Sequence, residues 1–190
     1  MYFNRVRIIS LSILLMGALF TIVIWYKISV YKKQKINRLN GCVKEIKLIQ
    51  NKPSQIRTKV VLVGDSRIRK WSSTYFAPNI EIVNLGIIGG TTSEILCAVD
   101  QNIKDLNPDW YILQVGINDL VAASMLNAEE RQKWLQRTYN NIIEISEKLS
   151  KSGDQVLVMT IVPPIKMDLA RRIVWGGGIA SSAEHLSKQL

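Results

Sequence analysis

Between Lys59 and Ile68 a run of β-branched and apolar residues, Val60-Val61-Leu62-Val63, halts at Gly64-Asp65-Ser66 and gives way to polar residues. Such a run, bounded by turn chemistry, predicts a buried strand with Ser66 just past its end. The pattern recurs. Residues 80–83, Ile80-Glu81-Ile82-Val83, form a second strand pattern that enters Asn84-Leu85-Gly86-Ile87-Ile88-Gly89-Gly90-Thr91-Thr92, and residues 110–115 form a third that ends at Gly116-Ile117-Asn118-Asp119. A fourth, residues 155–161, stops at Val162-Pro163-Pro164. Helical patterns separate the runs: a short one from Arg67, one over 92–106 with Thr91 or Thr92 as N-cap, and a long one to about Ser150 opened by the Asn127-to-Glu130 capping spacing. Strands alternating with helices predict a parallel sheet with right-handed crossovers, an α/β fold.

In such a sheet the crevice beyond the carboxyl ends of the strands is where ligands bind. Acyl transfer at an ester needs a nucleophile and hydrogen-bond donors aimed at the oxyanion that develops. Ser66 offers an Oγ and its own N–H, Gly89 a backbone N–H free of side-chain obstruction, and Asn118 a side-chain amide. Each has a plainer reading as turn chemistry, but three such loops delivered to one sheet edge favour a site. Phosphate binding by the 86–90 loop is the weaker option, since its glycines have neither Rossmann nor P-loop spacing.

All of the net charge lies in the first 58 residues, which hold 11 Lys/Arg and one Glu, whereas residues 59–190 balance 14 against 14. The folded part carries no basic stripe, which argues against nucleic acid as a partner. Residues 8–26 form an uncharged run of 19, long enough to cross most of a bilayer core, with Trp25 and Tyr26 placed as an interfacial belt. A cleaved signal peptide is the competing reading. The sequence divides into a membrane anchor (1–27), a basic juxtamembrane helix or linker (28–58) and a catalytic domain (59–190). Apolar residues at Leu39, Val43, Ile46 and Ile49 predict an amphipathic helix within the linker, and Asn51-Lys52-Pro53-Ser54 closes it. The basic residues after the apolar run would hold the domain in the cytoplasm, whereas the short N-terminal tail has the layout of an uncleaved signal anchor that exports it; export is the expectation. Leu39-Asn40-Gly41-Cys42 is set aside as a lipoprotein box because five basic residues separate it from the apolar run. Cys42 and Cys97 read as neither a disulfide framework nor a zinc site, and Cys97, among Ile95, Leu96, Ala98 and Val99, reads as a small buried apolar residue.

Gly64-Asp65-Ser66, Asn84-x-Gly86-x-x-Gly89 with the two threonines, and Gly116-x-Asn118-Asp119 together resemble, in order, three blocks of the SGNH or GDSL-type esterase and lipase superfamily. The wording is most similar to the branch of platelet-activating-factor acetylhydrolase and bacterial acyl esterases. The resemblance implies a flavodoxin-like three-layer sandwich and a serine ester hydrolase acting on a small acyl ester. Ser66 would be the nucleophile, with Ser66 N–H, Gly89 N–H and Asn118 as the oxyanion hole, and no metal or organic cofactor. The family's fourth block, Asp-x-x-His, has no counterpart here. The single histidine, His185, is the one candidate base. It falls on the polar side of a helix marked by Ile179, Ala183, Leu186 and Leu190, and too few residues follow Pro164 for the usual last strand before it. The expectation is a domain incomplete at its C-terminal end, with Gly176-Gly177-Gly178 as a hinge. A non-catalytic anchored protein that binds acyl or glycan ligands is the alternative.

Overall fold

The structure, a computed structural model, describes residues 2–43, 46, 48–51, 58–153, 155–159, 161, 171, 174–175 and 178–189, with side chains from Leu14 onward except Ser73. The chain divides into two units, Met1–Gln34 and Lys35–Leu190.

The first unit is helix. α1 (Tyr2–Arg38) contains the apolar run and extends into the second unit. It is long and apolar enough to cross a membrane, with mean hydropathy 1.7 over the span found in Leu14–Arg38. Leu14, Leu15, Met16, Leu19, Phe20, Ile22 and Trp25 are all exposed. A helix of this length and composition near the N-terminus is a candidate membrane span or signal sequence.

The second unit is a five-stranded sheet in the order β1-β3-β2-β4-β5. Its strands are β1 (Ile49–Gln50), β2 (Thr58–Gly64), β3 (Ile80–Gly86), β4 (Trp110–Gln114) and β5 (Gln155–Val158). β1 runs antiparallel to β3, and all other pairings are parallel. Side chains alternate across the sheet as strand geometry requires. Val61, Val63, Val83, Leu85, Tyr111 and Leu113 point into the larger core, and Val60, Leu62 and Ile82 into the smaller one. α3 (Thr92–Asn102), α4 (Ile117–Ala123), α5 (Ala128–Ser150) and α6 (Ile179–Gln189) cover the first face. α2 (Ser66–Arg69), Trp71 and Phe76 cover the second. This is the expected α/β sandwich, with helices on both faces of a mostly parallel sheet.

The helix caps explain the boundaries. Thr91 and Glu94 form a complete capping box on α3. Asn127 caps α5 by accepting from Glu130 N at 2.9 Å. α3 stops at Asn102, short of the expected Leu106, and β5 ends at Val158, short of Ile161.

Two expectations are corrected. The described residues between Leu39 and Ile49 are not in an amphipathic helix. α1 ends at Arg38, and a tight turn follows in which Gly41 N donates to Arg38 O at 2.9 Å. A side chain at Gly41 would collide with Glu94, so the chain turns where glycine permits that approach. The apolar spacing is met differently: Leu39 is fully buried in the turn, Ile46 packs on the core, and Ile49 joins β1. Cys97 is not a free core residue either. It is bonded to Cys42 across a sequence separation of 55, with Cα atoms 5.4 Å apart. The predicted boundary at Lys52-Pro53-Ser54, the strand end at 162–164, the hinge glycines Gly176 and Gly177, and Leu190 lie outside the described residues.

Candidate active site

β3, β2 and β4 lie side by side in register, with Gly64 opposite Gly86 on one flank and Gln114 on the other. The loops that leave them therefore start at one level. A Cβ on Gly64 would run into the backbone oxygen of Gln114, so only glycine lets the strands close here. Pairing continues past the strand ends: Ile87 N donates to Gly64 O at 2.8 Å and Asp65 N to Gln114 O at 3.2 Å.

Ser66 is the first residue of α2 and is half-buried. Asp65 precedes it as N-cap, its Oδ1 accepting from Arg67 N at 2.8 Å. Asp65 Oδ2 is buried without a hydrogen-bond partner among the described residues. Burial, opposed by the Arg67 N–H and the Arg67 charge, pushes the Asp65 carboxyl above the ordinary range.

The loop after β3 makes a tight turn in which Gly90 N donates to Ile87 O at 3.0 Å and Gly89 has φ +66°. Asn84, buried in β3, braces it: its Oδ1 accepts from Gly86 N, and its Nδ2 donates to Ile68 O at 2.8 Å behind the α2 helix. The loop after β4 is not a loop for long. Gly116, with φ +113°, caps α4, so Asn118 and Asp119 sit in the first turn of a helix that the sequence pattern did not reveal. Asn118 Nδ2 donates to Gly90 O at 3.0 Å. Asp119 is buried and accepts from Thr92 N at 3.1 and 2.9 Å and from Thr92 Oγ1 at 2.7 Å. Asn141 of α5 holds Thr92 Oγ1 in turn, at 2.9 Å. Burial outweighs these donors and pushes the Asp119 carboxyl up to about 7.

Of the residues expected from sequence, the sheet delivers Ser66, Gly89 and Asn118 on three adjacent strand ends, and a direct hydrogen bond joins the Asn118 and Gly90 segments. His185 lies on α6. α6 buries Ile179, Ala183 and Leu186 and leaves His185 exposed. No hydrogen bond connects His185 with Ser66 among the described residues. Sequence reasoning missed Arg38 and Glu94, which flank the glycine loop as an ion pair at 2.9 Å. The Thr91-x-x-Glu94 capping signature was the available signal for Glu94; Arg38, within a basic run, had none.

No family model matches the chain. A Bacillus subtilis (strain 168) protein named Uncharacterized lipoprotein YqeF is 28% identical over 88 residues, 46% of this chain and 35% of that protein. A GDSL-like lipase from Bacteroides thetaiotaomicron VPI-5482 superposes with TM-score 0.54 at 18% identity, covering 70% of this chain and 61% of that one. A proposed acylhydrolase from Bacteroides fragilis NCTC 9343 gives TM-score 0.54 at 18% identity, covering 73% and 64%. The chain thus spans about a third of the curated relative it matches and under two thirds of these two structures. With its sheet order, its helices on both faces and these neighbours, the second unit has the fold of the SGNH/GDSL-type esterases and acylhydrolases.

Proposed function

We propose that the chain is an anchored serine ester hydrolase of SGNH/GDSL type, removing an acyl group from a lipid or cell-envelope glycan. One observation carries the reading: Ser66, the Gly89 turn and Asn118 lie at the ends of neighbouring strands, with Asn118 bonded to Gly90. In the first step Ser66 Oγ forms a bond to the ester carbonyl carbon, and the serine proton passes to the departing alkoxide. The oxyanion accepts from Ser66 N–H, Gly89 N–H and Asn118 Nδ2. Water then cleaves the acyl-serine by the same route reversed, returning the proton to Ser66.

A second reading is a non-catalytic binding protein that keeps the pocket. It is favoured by the exposed position of His185, which leaves Ser66 without a hydrogen-bonded base among the described residues. An oxyanion hole without a base still supports slow turnover. Hydrolysis of p-nitrophenyl acetate by the full chain separates the two. Turnover abolished in Ser66→Ala supports the esterase. Turnover also abolished in His185→Ala assigns His185 as the base, and no turnover above that of Ser66→Ala leaves the binding protein.

The reading places the second unit on the extracytoplasmic side. Its support is the Cys42–Cys97 pair, since disulfides persist in oxidising compartments. A membrane-impermeant maleimide applied to intact cells after reduction should label both cysteines; protection until lysis would place the domain inside.

A further inference from the structure

We infer that Arg38 is a positioning residue for the Gly89 backbone N–H, fixing the direction in which that donor points. The turn has Ile87, Ile88, Gly89 and Gly90 as its four residues, closed by Gly90 N donating to Ile87 O. Gly89 has φ +66°, and Ile88 is not among the residues with positive φ. Positive φ at the third residue alone is the signature of a type II turn. Types I and II differ chiefly in the direction of the central peptide, here the unit made of the Ile88 C=O and the Gly89 N–H. That unit is planar and trans, so its C=O and N–H point in opposite directions, and whatever holds one end aims the other.

Arg38 holds the carbonyl end. Its Nη2 donates to Ile88 O at 3.1 Å. Nη1 lies against Gly89, where a Cβ would meet it, so the glycine serves the approach as well as the φ angle. The guanidinium is itself fixed: Nε donates to Glu94 Oε1 at 2.9 Å and Oε2 at 3.1 Å, and Nη2 pairs with Oε2 at 2.9 Å. Glu94 is nearly buried and also accepts from Thr91 N at 3.0 Å. Thr91 Oγ1 donates to Arg38 O at 2.8 Å, and the Cys42–Cys97 bond closes the same corner. A cationic donor on the C=O also polarises the amide and strengthens its N–H as a donor. The last turn of α1 is in this way part of the oxyanion machinery. The inference rests on the esterase reading for what the N–H is used for, but not for its geometry.

Ile88-Gly89 is the one Ile-Gly step in the sequence. The full chain in detergent, labelled with carbonyl-13C isoleucine and 15N glycine, therefore gives a single one-bond amide correlation, that of Gly89. Arg38→Ala should displace this resonance, and added guanidinium should return it toward the wild-type position. Glu94→Gln should displace it less, in the same direction. In p-nitrophenyl acetate hydrolysis Arg38→Ala should lower kcat about 10- to 100-fold, with KM within about twofold, because the donor acts in the transition state. A Gly89 resonance unmoved in Arg38→Ala overturns the inference. So does a moved resonance with kcat unchanged, which reduces Arg38 to turn packing. If the wild-type chain shows no turnover, the esterase reading fails separately, and the Gly89 resonance alone decides the geometry.

Discussion

Asn118 Nδ2 donates to Gly90 O at 3.0 Å, so the first turn of α4 is tied directly to the glycine turn after β3. The bond spends one of the amide's two protons on orientation and leaves the other for a ligand. Replacing Asn118 with alanine removes both. The expected result is a loss of about 100-fold in kcat for p-nitrophenyl acetate, with a loss of about 1 kcal/mol in folding stability. Kinetics and thermal unfolding of the same preparation check the two parts together.

Asp119 gives a pH signature. Its carboxyl has an ordinary value of 3.8 and is pushed up to about 7 in the fold. Between those values the unfolded chain has released the proton that the folded chain still holds, so this group's contribution to stability falls as pH rises from about 4 to about 7. Below about 4 it exerts no differential effect, and above about 7 its full penalty is present. Asp119→Asn keeps an oxygen for the Thr92 donors and removes the titration. The difference in Tm between variant and wild type should therefore shift in favour of the variant as pH rises through that window. A constant difference would contradict the assignment.

Gly64 and Gly89 are glycine for different reasons, and alanine should separate them. At Gly89 the added Cβ meets a left-handed φ and the Arg38 Nη1, a side-chain end rather than backbone, at a cost of about 1 to 2 kcal/mol. At Gly64 it meets the Gln114 backbone oxygen, which cannot move without parting β2 from β4, and about 3 kcal/mol is expected. Thermal unfolding gives the order. Gly89→Ala should in addition lose more activity than stability, because it displaces Arg38.

The Cys42–Cys97 bond closes a loop of about 55 residues, for which chain entropy gives a stabilisation of about 4 kcal/mol. Reduction, or Cys42→Ser, should lower Tm, and the reduced chain should migrate more slowly than the oxidised one on a denaturing gel. Equal mobility before and after reduction would show that the pair is not formed.

The strands that carry the site were legible because their cause is local. Runs such as Val60 to Val63 and the turn chemistry of Gly64 or Gly116 specify a strand and its end with little help from the rest of the chain. Asn127 announced α5 through a cap that depends on three residues. What could not be read depends on partners far away in sequence. Arg38 meets Glu94 across 56 positions. Cys42 meets Cys97 across 55. The helix expected over 39–49 failed because its apolar spacing is equally served by a buried turn, a packed loop and a two-residue strand, and only the approach of Glu94 to Gly41 chooses between them. α4 was missed because its first turn starts at a glycine and holds the polar residues of the site. His185 could be placed on the polar side of a helix, and it is exposed there.

The central claim is that Ser66 is a nucleophile served by the donors around it. Incubation of the full chain in detergent with a fluorophosphonate, followed by peptide mapping, tests it most directly. The account predicts a single adduct on the peptide containing Ser66, absent in Ser66→Ala and formed more slowly in Asn118→Ala. Labelling that persists in Ser66→Ala, or a chain that forms no adduct at all, would contradict it.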